Sequence, residues 1–323
     1  MPSRSLLLLL AGAAVAATAP TADAGAPVKP RLKDLKITVL STMLADEGIG
    51  EWGFAALVES GGKKILFDTG ARPRTVLDNA RELNIDLGDV EDVVFSHFHD
   101  DHTTGLMTLR RELMTAHPHA MSRVHIGKGG LDERRGGMQN SVLAWRKAYE
   151  ATGGRFIEHD GPVELLAGVW LTGPIPRPNP EKNYPPKIEV KRGKTWVPDD
   201  VADDQALVFD TPRGLVVLSG CGHAGIINTI EHARTVVRVA PVAAVIGGFH
   251  LYNARPETLK WTARKLKDLK VAQVLGAHCT GIESVYVLRQ LMGLARKDAQ
   301  VASIESGYDL ATGIRTGPIA SGL

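Results

Sequence analysis

Between Phe95 and Gly105 the chain reads FSHFHDDHTTG, with three histidines and two aspartates in six positions directly after the apolar Val93-Val94-Phe95. Imidazoles and carboxylates at that density destabilise a fold unless something cationic holds them together. A metal ion meets that need. His97 and His99 stand two apart at the end of a predicted strand, so they point to the same side and can share one ion. Asp101 and His102 follow where the chain turns toward a helix and reach a neighbouring position. Imidazole and carboxylate ligands suit zinc, and iron or manganese are compatible with the same set. The two cysteines, Cys221 and Cys279, each lie beside a histidine, in GCGHAG and AHCTG. That placement favours a role near the metal and leaves a disulfide open. His117, His119, His125, His159 and His232 lack such a context and read as surface or core residues.

These groups need elements that bring them to one place. KITVLSTML predicts a strand, and FAALVESGGKKILFDTG a hairpin around Gly61-Gly62. Val76, Leu77, Ala80 and Leu83 then repeat at helical spacing before VEDVVFS, the strand that delivers the histidine cluster. QALVFDTPRGLVVLSGCG is a second hairpin, turning at Pro212-Arg213-Gly214. A helix with Ile226, Ile227, Ile230, Ala233 and Val237 on one face follows, and then VAAVIGGFH, a strand ending in His250. The same order thus occurs twice, about 150 residues apart. It predicts two similar β/α halves packed face to face with their strand ends converging on one edge. Coincidence is the competing reading, because βα alternation is common. His250 occupies the position in the second half that corresponds to the first cluster, where it either faces substrate or packs as a core histidine. A further helix (Leu259, Ala263, Leu266) leads into VAQVLGAHCTG, another strand ending in a histidine. Between the halves, the prolines from Gly173 to Asp200 forbid regular structure over most of that length, as in a functional lid or a disordered insertion.

The 323 residues are 44% apolar and 23% charged with a net charge of +2, an ordinary globular composition without pull on polyanions. No concentrated basic face is visible, which excludes nucleic acid as the expected partner. Residues 1–24 read as a secretory signal peptide: Arg4, an apolar run from Leu6 to Ala17, and Ala22-Asp23-Ala24 before the cut. The run is shorter than the roughly 20 residues of a membrane span. The expectation is a secreted or periplasmic protein with no membrane anchor after cleavage, residues 25–323 forming one domain with an insertion near 173–204.

SHFHDDH resembles the H-x-H-x-D-H signature of the metallo-β-lactamase superfamily. The resemblance implies an α/β fold, a four-layer αββα sandwich, and metal-dependent hydrolysis. LFDTG, LSGCGHAGIINTIEHA, VIGGFHL and GAHCTG are similar to one subgroup, named for a dihydropterin-methyl-aminobenzene ribosyl-phosphate synthase. By this resemblance His97 and His99 bind a first metal, and Asp101, His102 and His278 a second. Cys221 takes the place where relatives carry a bridging aspartate or a cysteine. Asp68, ending KILFD, matches a structural aspartate that fixes ligand imidazoles, against the plain reading of a turn-forming Asp before Thr-Gly. The middle histidine of the superfamily is missing, ADDQAL standing in its position. His223 is the candidate replacement, with Asp203 or Asp204 as rivals.

One or two zinc ions there would lower the pKa of bound water to about 7 and supply hydroxide at neutral pH. Asp101 would orient the nucleophile, and His250 would donate to developing negative charge. The substrate expected is a small ester, lactone or phosphoester. Arg177, Lys182, Lys187, Lys191, Arg192 and Lys194, with Tyr184 and Trp196 among them and Arg134, Arg135 and Trp145 upstream, suit an anionic substrate with a planar ring or form a solvated rim. The alternatives are a transferase of the synthase type and a non-catalytic metal-binding module. Antibiotic hydrolysis ranks lower, since GCGHAG is closer to the synthase subgroup.

Overall fold

A computed structural model describes residues 32–136, 142–183, 187–317 and 319. The predicted leader at 1–24 and Tyr184 lie outside the described residues. The first half runs through strands β1 (Lys36–Ser41), β2 (Ala55–Ser60) and β3 (Lys63–Phe67), helix α1 (Thr75–Glu82) and strand β4 (Asp92–Val94). Helices α2 (Asp100–Thr103) and α3 (Leu106–Leu113) lead to β5 (Arg123–Gly127), the short β6 (Arg134–Arg135), α4 (Val142–Glu150) and β7 (Arg155–His159).

The second half comprises β8 (Val163–Leu166), β9 (Val169–Leu171), β10 (Glu189–Arg192), β11 (Thr195–Pro198), β12 (Ala206–Thr211), β13 (Gly214–Ser219) and α5 (Ile226–Val236). It continues through β14 (Val242–Gly247), α6 (Pro256–Asp268), β15 (Val271–Gly276), α7 (Ile282–Met292) and β16 (Ala299–Val301). The last strands, β17 (Gly307–Asp309) and β18 (Gly313–Arg315), return to the first sheet.

Two large sheets result, ordered β18-β17-β1-β2-β3-β4-β5-β7 and β16-β15-β14-β13-β12-β9-β8. The predicted duplication is visible in their pairing. In the first sheet the hairpin β2–β3 is followed by β4, β5 and β7, each parallel to its predecessor. In the second, the hairpin β12–β13 is followed by parallel β14, β15 and β16. Alternation along each strand sorts side chains into layers. Leu207, Phe209, Val216 and Leu218 pack between the sheets against Ile65, Phe67 and Val94. Their neighbours Val208, Leu215 and Val217 face outward onto Ile227 and Ile230 of α5 and Leu266 of α6. Leu66 and Val93 face the opposite way, onto Val76 and Leu77 of α1 and Leu109 of α3. Strands buried on both faces need the continuous apolar runs seen in the sequence. The outcome is the four-layer αββα sandwich.

The Gly173–Asp200 stretch departs from the irregular course expected of it. β10 and β11 form a hairpin there, and β6 adds to its edge as a third strand. Six of the seven prolines precede residue 187 and the hairpin begins after them; the seventh, Pro198, is the last residue of β11, where its missing N–H group falls at the end of the ladder. Among the described residues no helix is long and apolar enough to cross a membrane.

Candidate metal centre

Parallel strands of both sheets end on one side of the sandwich, and the loops leaving them carry the candidate residues. β3 runs into Asp68, β4 into His97 and His99, β13 into Cys221 and His223, β14 into His250 and β15 into His278. Asp68, His250 and His278 adopt positive φ angles of 59°, 50° and 44°. Non-glycine residues held there concentrate where a fold aims side chains at a site.

Asp68 organises the centre. Its carboxylate accepts the Ser96 N–H and the Ser96 hydroxyl, each at 2.7 Å, and the His102 Nδ1–H at 2.7 Å. Because the Ser96 hydroxyl donates to Asp68, its lone pair accepts from His97 Nδ1 at 2.9 Å. His97 therefore turns an unprotonated Nε2 inward, and His102, anchored through Nδ1, directs its Nε2 to the same interior. His223 is set in the same way, its Nδ1–H donated to the Asn183 carbonyl.

Two groups of ligand atoms follow. His97 Nε2 lies 2.9 Å from His99 Nδ1 and 3.2 Å from His223 Nε2. His102 Nε2 lies 3.1 Å from Cys221 Sγ and 3.7 Å from Asp101 Oδ1, and His278 Nε2 lies 3.3 Å from Asp101 Oδ2. Cys221 is close enough to share in both groups. Nitrogen and sulfur ligands about 2.0–2.3 Å from one tetrahedral ion stand roughly 3.3–3.8 Å apart, so these spacings are of the right size. His278 is fully buried with no hydrogen-bond partner at Nδ1 and only the Asp101 contact at Nε2, and His99 Nε2 and His250 Nδ1 are likewise buried without a partner. Bare imidazole nitrogens facing one another in a dry interior are costly until a cation accepts their lone pairs. The residues fit a divalent metal.

The electrostatics agree. Burial, with the neighbouring histidines adding to it, holds His97 well below the usual imidazole range; burial likewise lowers His99 to about 4 and depresses His223. All three offer free lone pairs at neutral pH, as ligation requires. Burial opposes a charge on His102, but the Asp101 and Asp68 carboxylates outweigh it and raise this group to about 9. Those carboxylates favour any positive charge at His102 Nε2. Against the penalty of burial, His102 and His278 hold Asp101 well below the usual carboxylate range.

The rivals to His223 are occupied elsewhere. Asp203 accepts the Phe98 N–H at 2.8 Å and Arg134 Nη2 at 2.8 Å, while Arg134 Nε bonds Asp199 at 2.7 Å, the three side chains being at most 1% exposed. Asp204 accepts the Ala224 N–H at 2.7 Å. One aspartate thus braces the His97–His99 loop and the other the His223 loop. Neither faces the metal groups.

The centre lies at the floor of a cavity of about 1160 Å³. Most of the basic and aromatic residues expected around it are placed elsewhere. Arg134 is in the buried triad, Lys191 pairs with Glu133 and Arg192 with Asp132, Trp196 stacks under Arg135, and Trp145 packs on Phe95 and Phe98. Arg177 donates to the Val201 carbonyl, and among the described residues of the expected set only Lys182 lines the cavity. The correction has a simple origin: spacing along a loop does not say which side chains the hairpin β10–β11 turns to its acidic neighbours. The cavity wall is instead built from Trp52, Tyr252, Trp261 and Arg255, none of them singled out in the sequence. Trp52 is 48% exposed, its ring 5.0 Å from that of His278 and 5.3 Å from that of Tyr252. The signal available was an aromatic directly before Gly53 in a turn near the first hairpin, too weak to separate from core. His125 pairs with His159 and Asp92, His232 contacts the Thr172 carbonyl, and His117 and His119 are exposed, all away from the centre.

Residues 53–237 match the family model described as metallo-beta-lactamase superfamily. The chain is 31% identical over 272 residues, 79% of its length and 90% of the relative's, to a 7,8-dihydropterin-6-methyl-4-(beta-D-ribofuranosyl)-aminobenzene-5'-phosphate synthase of Methanocaldococcus jannaschii. An uncharacterized protein of the same organism is 30% identical over 74% of this chain and 88% of its own. A crystal structure described as a metal-dependent hydrolase of the β-lactamase superfamily superposes with TM-score 0.67 at 28% identity, covering 86% of this chain and 99% of the other.

Proposed function

Because the chain belongs to the metallo-β-lactamase superfamily, we propose that it is a metal-dependent hydrolase of a small ester, lactone or phosphoester. The observation that carries this reading is the convergence of His97, His99 and His223 on one point and of Asp101, His102 and His278 on another, with Cys221 between them. These seven residues are the proposed ligands, and the thiolate–imidazole set favours zinc. Bound there, a divalent cation supplies a Lewis acid and an acidified water. The chain's own groups do the rest. Asp68, through Ser96 and His102, keeps two imidazoles in the tautomer that presents Nε2. Asp101, an acceptor only, orients the O–H of the attacking water. His250, its ring 4.8 Å from that of His223 and lining the cavity, donates to negative charge developing on the substrate. Trp52, Tyr252 and Trp261 offer flat apolar surface, and Lys182 and Arg255 offer cations, which suits a ring-bearing anionic substrate.

The second reading is a synthase-type transferase, favoured by the 31% identity to the M. jannaschii enzyme. Incubating metal-loaded protein with a panel of esters, lactones and phosphoesters separates the two. Turnover by water alone, abolished by chelation and restored by metal, is the expected result. Product formed only when a second organic substrate is added establishes the transferase, and metal binding without either reaction establishes a non-catalytic module. Export is proposed from the Arg4, Leu6–Ala17 and Ala22-Asp23-Ala24 pattern. N-terminal sequencing of protein recovered from the periplasm or medium tests it, Gly25 being the expected first residue.

A further inference from the structure

Cys221 and Cys279 are the chain's two cysteines, and the fold brings them together from the ends of β13 and β15. Their Sγ atoms are 3.3 Å apart, and the Cys279 thiol also lies 3.5 Å from the Cys221 carbonyl oxygen. Both side chains are buried, yet both line the floor of the cavity. Space for Cys279 depends on a glycine: a Cβ at Gly248 would stand 2.8 Å from its Sγ. A disulfide needs a sulfur–sulfur distance of about 2.05 Å, so bonding asks for an approach of little more than about 1 Å between groups already aimed at each other. The hydrolytic reading uses Cys221 and leaves Cys279 without a task.

We infer that Cys221 and Cys279 form a redox-modification site, oxidised by a small-molecule disulfide, whose closure and metal occupancy exclude each other. The inference rests on the proposed role of Cys221 as a shared ligand. In the first step the Cys279 thiolate attacks one sulfur of the oxidant, forming a mixed disulfide and expelling one thiolate. The Cys221 sulfur then attacks Cys279 Sγ, forming the protein disulfide and expelling the second. Two electrons pass from the cysteines to the oxidant, and the two protons lost by the cysteine thiols end on the two released thiols. A disulfide sulfur has no thiolate charge to offer a cation, so oxidation withdraws the ligand common to both metal groups. Linkage makes the effect reciprocal: a metal held by Cys221 removes the resolving nucleophile and protects the pair.

The full chain, metal-loaded and metal-stripped in parallel, is treated with 2-hydroxyethyl disulfide. Differential alkylation with peptide mass mapping then follows both thiols, and elemental analysis follows metal uptake after the oxidant is removed. Stripped protein is expected to lose both thiols to a Cys221–Cys279 disulfide and to regain full metal uptake only after reduction. Loaded protein is expected to oxidise at least tenfold more slowly. Stripped Cys279→Ser, treated identically and then reduced mildly enough to clear only mixed disulfides, is expected to take up as much metal as its untreated control. Retention of both thiols in the stripped chain, a stable mixed disulfide at one cysteine, equal oxidation rates with and without metal, or full metal uptake by the disulfide form would each overturn the inference. Failure of the hydrolytic reading looks different: reduced, untreated protein would take up no metal, while thiol mapping on the same sample still decides the disulfide.

Discussion

The loops that leave β4 and β14 occupy corresponding places in the two halves, yet only one is built to gather ligands. The first reads Ser96-His97-Phe98-His99 and the second Gly247-Gly248-Phe249-His250. The phenylalanine and the last histidine are shared, whereas the position of His97 is a glycine in the second half. The surroundings explain the difference. A Cβ at Gly248 would stand 2.1 Å from the Gly220 carbonyl oxygen, and one at Gly247 would stand 1.9 Å from that of Ser219. The second loop lies flat on the end of β13 because that contact positions Cys221 and His223. The first loop meets the same strand end through a side chain, a Cβ at Gly220 standing 2.0 Å from the Ser96 hydroxyl, and is held further by Asp68 on Ser96, Asp203 on the Phe98 N–H, and the Gln205 N–H and side chain on the Ser96 and Phe95 carbonyls. A duplicated frame thus divides its labour: one loop carries a pair of imidazoles, and its counterpart gives up side chains so that a neighbouring strand end can approach.

The largest effect should come from exchanging the terminal histidines. His99→Ala is expected to lose at least one bound metal and more than about 100-fold in activity, beyond the range typical for groups that only support a ligand. His250→Ala should keep its metal and lose on the order of 100-fold in kcat, as for a lost donor to developing charge. Equal metal loss in both variants, by elemental analysis, would erase the contrast between the loops.

Next in size is the brace. Arg134→Ala leaves Asp199 and Asp203 buried without their cation, and breaking a buried pair destabilises by about 3–5 kcal/mol. Chemical denaturation measures it, and a change below about 1 kcal/mol would show that the first loop needs no outside support. Asp68→Asn tests the internal support. Asparagine tolerates the positive φ but cannot accept from Ser96 and His102 as a carboxylate does, so metal affinity should fall about 10–100-fold with little change in fold.

In the second loop, Gly248→Ala should destabilise by roughly 2 kcal/mol through the clash with the Gly220 carbonyl. A thermal melt within a degree of the parent would mean that the loop has room to spare. The last effect, spread over a pH range and so smallest at any one step of it, concerns α5. Glu181 accepts the Asn228 N–H at 2.9 Å at the start of that helix, and burial lifts its pKa from 4.5 to about 7. Between those values the folded chain binds the proton more tightly than the unfolded chain does. Stability should therefore fall as pH rises from about 4.5 to 7 and level off above, by roughly 3 kcal/mol. Glu181→Gln should flatten that segment of the stability–pH curve. An unchanged slope would place the proton elsewhere.

Much of this molecule was written in local patterns. The apolar runs on either side of the Pro212-Arg213-Gly214 turn in QALVFDTPRGLVVLS form β12 and β13 as expected, because a short run bounded by a turn signal is a local pattern. The repeated hairpin–helix–strand order predicted two halves for the same reason. The H-x-H-x-D-H spacing after a buried strand likewise put His97, His99, Asp101 and His102 within reach of one another before any fold was known. Contacts between distant loops were out of reach of such reasoning. GCGHAG was the candidate to face His97 with ADDQAL as its rival, and the tertiary structure engages Asp203 and Asp204 with backbone N–H groups and Arg134. Trp52, Tyr252 and Arg255 become a cavity wall only when β2, β14 and α6 meet at one edge. Spacing along the chain determines which side chains share a face. Which faces meet, and which polar atoms remain unpartnered there, is decided by packing between segments far apart in sequence.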